Sequence, residues 1–182
     1  MKTLPNKSLG ARRSRAPAGR GSRARGRTAV ALVNRPAMRI KSVLVPLDFS
    51  PAATKALTYA AAFARHFKAR LTLVHVIEPV ATPDFVAAFP LHREDDQLKA
   101  AAKVKIAAVL KQAGIPPALV EQVIVRFGRS FHEIADVARL RKVDLIIIAT
   151  HGYTGLKHAF LGSTTERVVR HAPCEVLVLK SV

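Results

Sequence analysis

From residue 40 onward the chain alternates between two hydrophobic periodicities. Residues 40–45 (IKSVLV) form a short β-branched run closed by Pro46, which predicts a strand. Residues 51–68 predict a helix. Ser50 suits its cap and Pro51 its first position, and Ala56, Tyr59, Ala60, Phe63 and Phe67 recur at spacings of three and four. Residues 71–77 (LTLVHVI) predict a second strand, and 78–91 a linker holding Pro79, Pro83 and Pro90. Residues 92–113 follow as a long helix. Leu98, Ala102, Lys105, Ile106, Val109 and Leu110 share one side, and Glu94, Asp95 and Asp96 sit in the first turn, where the helix dipole favours acids. Gly114 and the Pro116-Pro117 pair stop it. Residues 120–127 predict a third strand. Residues 130–142 predict a third helix, with Ser130 and Glu133 spaced as a capping box. Residues 144–150 (DLIIIAT) are nearly all apolar, as a central parallel strand covered on both faces requires. A glycine-containing loop, a helix over 163–171, Pro173 and a last strand from Glu175 to Lys180 complete the series.

The order is therefore β-α-β-α-β-α-β-α-β. Strictly alternating elements of this length imply an α/β fold: an open five-stranded parallel sheet with right-handed crossovers and helices on both faces. Ligands in such sheets bind beyond the carboxyl ends of the strands, where the winding direction reverses. The residues just after strands one, two and four are thus the first place to look for chemistry.

Charge changes the picture at one end only. The 182 residues carry a formal net charge of +18, but residues 1–37 alone hold ten Lys and Arg and no acid. The remaining 145 residues carry 20 basic and 12 acidic side chains. High pI is thus mainly a property of the first 37 residues and no argument that the folded part binds nucleic acid. Residues 1–28, rich in Arg, Gly, Ala and Ser, lack the apolar surface to offset chain entropy and read as part of a disordered basic extension over 1–37. Three readings of it stand open: a charged arm for nucleic acid or polyphosphate, an organelle-targeting segment, or an upstream stretch ahead of a true start at Met38. Residues 38–182 form the expected domain. At 49 % apolar residues the chain can build a real core, and the lone Cys174 excludes an intramolecular disulfide framework. No run of about 18 apolar residues is present, so no membrane-spanning helix is expected.

Two segments carry candidate chemistry. Pro46-Leu47-Asp48-Phe49-Ser50 follows strand one, where Asp48 could meet a ligand's base or ribose, or simply serve turn and cap. Ala149-Thr150-His151-Gly152 follows strand four, and Gly162-Ser163-Thr164 opens the last helix. Unpaired N–H groups at a helix start, with the hydroxyls of Ser163 and Thr164, make an anion seat. Glycine at 152 and 162 lets phosphate oxygens approach the main chain. The alternative is an ordinary loop with Ser163 as a helix cap. The P-loop, G-x-G-x-x-G and G-x-S-x-G signatures are absent, as is the second His of a zincin helix after His132-Glu133. His75 reads as a core or turn histidine and Cys174 as a buried, inert thiol. Ten aromatics, none of them Trp, give little material for base stacking.

Residues 38–182 resemble the universal stress protein family. The likeness rests on IKSVLVPLDFSPAATKAL, on LTLVHVIEP and on DLIIIATHGYTGLKHAFLGSTTERVVRHAPCEVLVL, in that order and spacing. ATP-binding members carry G-x-x-G, nine residues, then G-[ST]. Here Ala149 to Gly152 stand at the first part and Gly162-Ser163 at the second, with nine residues between. Ala149 replaces the first glycine, and its methyl is compatible with a negative φ.

The resemblance implies the Rossmann-like fold of the adenine nucleotide alpha-hydrolases, with strand order 3-2-1-4-5. It implies that Pro46, Leu47 and Asp48 border adenine and ribose, that Val76 touches the base, and that Ala149, Gly152, Gly162, Ser163 and Thr164 surround ribose and phosphates. It further implies ATP with Mg²⁺ or Mn²⁺ carried on the phosphates, a homodimer through the Glu175 to Lys180 edge strand, and a cytoplasmic regulator of the stress response. No side chain is placed as a general base for water, so hydrolysis is expected to be slow or absent. ATP is expected to shift the population of states of the 153–161 loop. Two other readings stand beside this one: a dimeric stress scaffold of the same fold that binds no nucleotide, and a nucleic-acid or polyphosphate binder acting through residues 1–37.

Overall fold

The apolar runs become strands and the three-four patterns become helices, in the expected order. A computed structural model describes residues 39–79, 92–150 and 162–180, without the side chains of 92–95. The readings of residues 1–37, of Glu94 and Asp95, of Gly152 and of the 153–161 loop lie outside the described residues.

Strand β1 (Ser42–Pro46) leads into helix α1 (Pro51–Phe67), and β2 (Arg70–Ile77) is followed by α2 (His92–Gln112). After a 3-10 turn at Pro117–Leu119 come β3 (Val120–Phe127) and α3 (Ser130–Arg141). Strand β4 (Leu145–Ala149), α4 (Ser163–His171) and β5 (Glu175–Leu179) end the domain. All strand pairs are parallel, and the sheet order is β3-β2-β1-β4-β5. The winding therefore reverses between β1 and β4.

Alternation along the central strands sorts side chains to two faces. Val43, Val45, Leu145 and Ile147 join the core under α1 and α2, built from Ala53, Leu57, Ala60 and Ile106. Leu44, Ile146 and Ile148 join the opposite core with Ile134, Val137 and Ala138 of α3 and Val168 of α4. Every residue of β4 is buried, which explains its unbroken apolar run.

One predicted face needs correction. Helix α1 buries Ala53, Ala56, Leu57, Ala60, Ala61 and Ala64, whereas Tyr59 and Phe67 are exposed. Alanines let the helix lie close on the sheet, so its large rings move to the flank, where Phe63 and Phe67 stack with centroids 4.3 Å apart. Leu98 likewise is exposed on α2, while Ala102 and Ile106 are buried.

At the opposite end from the strand-to-helix crevice, Asp144 Oδ2 accepts from the N–H groups of Lys41 (2.7 Å) and Ser42 (3.0 Å), joining the starts of β4 and β1. Among the described residues, every buried side-chain nitrogen or oxygen has a partner, and no helix is long and apolar enough to cross a membrane.

Candidate functional site

The β1–α1 junction is closed by its own polar groups. The N–H of Leu47 donates to Val74 O (2.8 Å), and His75 Nδ1–H donates to Leu47 O (2.7 Å). A carbonyl only accepts, so this bond sets the His75 tautomer. His75 is thus a turn-holding histidine, as its place in the strand indicated. Phe49 stands at φ 65, a left-handed conformation that costs a non-glycine residue about 1–2 kcal/mol. Its ring packs on His75 at 4.5 Å and lies under Lys105 Nζ at 4.7 Å. Asp48 Oδ1 accepts from Ser50 N–H (2.9 Å), and Ser50 Oγ accepts from Ala53 N–H (3.0 Å). Ser50 therefore caps α1, with Pro51 behind it.

The β4–α4 junction differs. Ala149, the last residue of β4, is buried and is absent from the positive-φ residues, so its methyl costs no backbone strain. Thr165 Oγ1–H donates to Ala149 O (2.8 Å), and Gly162 N–H donates to Thr150 O (2.7 Å). Gly162, not Ser163, is the N-cap, and among the described residues no side chain caps the helix. Ser163 is exposed at the first helical position. The first bond at the start of α4 runs from Glu166 N–H to Gly162 O (2.9 Å), so the N–H groups of Ser163, Thr164 and Thr165 have no helical acceptor. Gly162 has φ −64, which any residue adopts. What glycine contributes there is the missing side chain.

The β3–α3 junction corrects a second expectation. The cap of α3 is Arg129, without a side-chain bond, so Ser130 and Glu133 stand one position late for a capping box. Instead Ser130 N–H donates to Glu78 Oε1 (2.8 Å), from the end of β2. The Ser130 hydroxyl and N–H, with the nearby Arg129 charge, hold the Glu78 carboxyl below its ordinary range against a smaller opposing effect of burial. Gly128, at φ 144, leaves room for the Glu133 side chain; a Cβ there would stand 2.8 Å from Glu133 Oε1.

These junctions meet around a cavity of about 250 Å³ at the β1–β4 reversal. Pro46, Leu47, Asp48, Val76, Ala149, Gly162, Ser163 and Thr164 all line it, so eight of the nine residues singled out from sequence are brought together. Gly152 is outside the described residues. Sequence reasoning missed Ala53, Val74, Glu78, Ser130, Ile134, Ile148 and Thr165, which also line it. Glu78 was findable by the rule that picked Asp48, as the first acid beyond an apolar strand. Val74, Val76, Ile134 and Ile148 form apolar wall; Asp48 and Glu78 are acidic; no Lys or Arg lines the cavity among the described residues.

Two other groups lie elsewhere. His132, Glu133 and Asp136 on α3 bring possible ligand atoms within 4.8 Å of one another, but Asp136 already pairs with Arg139. Cys174 is half-buried, not fully buried, and desolvation with the charges of Glu175 and Asp144 pushes its thiol up to about 11. It stays protonated at neutral pH and is a poor nucleophile.

Residues 39–180 match the universal stress protein family. The chain belongs to that family. It is 35 % identical over 142 residues to the Thermus aquaticus protein named universal stress protein in QAH/OAS sulfhydrylase 3'region, covering 77 % of this chain and 98 % of that one. Among solved structures it is similar to universal stress protein UspA of Lactobacillus plantarum, with 31 % identity, a TM-score of 0.65, and 78 % and 98 % of the two chains covered. It is similar to MJ0577 of Methanocaldococcus jannaschii as well, with 31 % identity, a TM-score of 0.66, and 79 % and 98 % covered. A further universal stress protein, solved in complex with cAMP, shares the fold at 20 % identity and a TM-score of 0.52, with 78 % and 98 % covered. The universal stress protein sheet order 3-2-1-4-5 is thus the one this sequence adopts.

Proposed function

We propose that this universal stress protein is a cytoplasmic, nucleotide-responsive regulator that binds ATP in the cavity at the β1–β4 reversal. One observation carries the reading: the uncapped start of α4 opens on the same cavity as Asp48 and the apolar wall of Val74, Val76 and Ile148. A phosphate needs main-chain donors without a competing cap, and a base needs an apolar slot with few polar contacts. Ala149 fits, because its φ is negative and its side chain is a single methyl. The cavity is small for a dinucleotide and suits a nucleoside. The relative solved with cAMP supports an adenine nucleotide on this fold.

In this reading Mg²⁺ or Mn²⁺ arrives on the phosphates and supplies the neutralising charge, since no basic side chain is among the described lining residues. Glu78 is held ionised by Ser130 and is a weak base, and Asp48 is engaged by Ser50 N–H, so hydrolysis is slow or absent. Regulation follows from population shift: ATP favours whichever state of the chain binds it more tightly. A homodimer through β5 completes the proposal. Among the described strands β5 lies at the sheet edge beside β4, and Leu177 is exposed on it, a surface that a second copy would cover.

Calorimetric titration with ATP and Mg²⁺, before and after chelation of the metal, tests the reading. One saturable site, weakened without metal, is the expected result. Absence of heat, together with no nucleotide retained on native mass spectrometry, refutes it.

A further inference from the structure

Two helix starts, those of α3 and α4, open on this one cavity, and they are furnished differently. At α4 the cap is Gly162, and no side chain among the described residues caps the helix. At α3 the place is already taken by an anion from the protein itself. Glu78, exposed just past the end of β2, accepts the Ser130 N–H at 2.8 Å. Both residues line the cavity. The contact joins segments 52 residues apart in sequence, so it is tertiary and not a local turn.

Two chemical consequences follow. A negative charge fixed at the α3 start cancels the attraction that a helix terminus offers to phosphate and repels any polyanion that enters there. A carboxylate, moreover, has roughly four acceptor positions and no donor, and the Ser130 N–H fills one. What remains can accept hydrogen bonds only from a ligand that carries donors, such as sugar hydroxyls or an exocyclic amine. The cavity is therefore polarised, with N–H groups at Ser163 to Thr165 that have no helical acceptor and a carboxylate acceptor at Glu78.

We propose that Glu78 is a specificity-determining residue that sets the orientation and class of ligand: nucleoside phosphates enter with phosphate toward α4 and the donor-bearing nucleoside toward Glu78, and free polyphosphate is rejected. This inference rests on the nucleotide reading above. Ser130 is its positioning residue, because its N–H holds the carboxylate in place.

The test compares ATP with inorganic tripolyphosphate, each with Mg²⁺, on the full chain and two variants. Glu78→Gln keeps the shape and can still accept from Ser130 N–H, but has no charge. Glu78→Asp keeps the charge on a shorter arm. The unmodified protein is expected to prefer ATP strongly. Glu78→Gln should narrow the ATP-to-tripolyphosphate preference by about tenfold, with weaker ATP and tighter tripolyphosphate binding. Glu78→Asp should weaken ATP yet still reject tripolyphosphate, and thermal melts close to the parent's would confirm that both variants fold. If ATP binds the unmodified protein but Glu78→Gln leaves the preference unchanged, or both variants behave alike, the inference falls while the nucleotide reading stands. If ATP does not bind the unmodified protein, both fall.

Discussion

Strands β1 and β4 lie side by side at the centre of the sheet, and each hands over to a helix at the same end. The two junctions share a position and almost nothing else. After β1, Asp48 accepts from Ser50, Ser50 caps α1, Pro51 occupies the first helical position, and His75 ties down the Leu47 carbonyl. After β4, the cap is a glycine with no side chain to offer, and three N–H groups at the start of α4 have no helical acceptor. The first junction caps its helix with a side chain; at the second, Thr165 and Gly162 hold the end of β4, while the first N–H groups of α4 have no helical acceptor. Removing a polar group from the first should therefore show up as lost stability, and altering the second should show up as lost ligand.

The largest effect is expected from Gly162→Val. At φ −64 and ψ 147 the main chain accepts a β-branched residue, so folding should be nearly intact. The added methyls would stand where the proposed phosphate approaches the amides of Ser163 and Thr164. Loss of two charge-assisted hydrogen bonds corresponds to about 100-fold weaker ATP binding by calorimetry. Unchanged affinity would remove α4 from the site.

The difference between these junctions was only half legible in the sequence. The spacing of nine residues between Gly152 and Gly162 is local and countable, and it pointed to the start of α4. Ser50-Pro51 was readable for the same reason, because a cap and its helix are neighbours. The unbroken LIIIA run announced β4, since burial on both faces removes alternation. Glu78 with Ser130 escaped because their bond spans 52 residues and no spacing rule connects them. The α3 capping box misled by one register position: the S-x-x-E pattern was present, but Arg129 already occupied the cap. The α1 face misled because aromatic rings weigh more in a pattern than alanines, while close helix–sheet contact prefers the alanines.

An intermediate effect, on stability alone, is expected from Ser50→Ala. Ser50 is 2 % exposed, and its Oγ is the acceptor that the Ala53 N–H has in place of a helical carbonyl. Removing it leaves that donor unmatched in a buried turn, at a cost of about 1 kcal/mol and up to about 2 where water cannot replace the oxygen. Urea denaturation should show the midpoint lowered at constant slope, while ATP affinity stays within about twofold if the β1 junction is structural. A large loss of ATP affinity with unchanged stability would reverse the roles assigned to the two junctions.

The smallest effect, and the sharpest contrast, is expected from Ser163→Ala. Chemically it is the same change as Ser50→Ala, and both serines stand at helix starts after central strands. Ser163, however, is exposed, sits one position beyond the cap, and makes no capping bond. Alanine is a good helix former at the first position, so stability should move by no more than about 0.5 kcal/mol. The hydroxyl's proposed partner is a phosphate oxygen, partly replaceable by water at an open rim, so ATP should weaken by about three- to tenfold. Run together, the two serine variants form a crossed pair: one loses stability and keeps ligand, the other keeps stability and loses ligand. If Ser163→Ala instead lowered the urea midpoint as much as Ser50→Ala, its hydroxyl would be acting as a cap after all. The open donors at α4 would then be an ordinary helix start with no phosphate to receive.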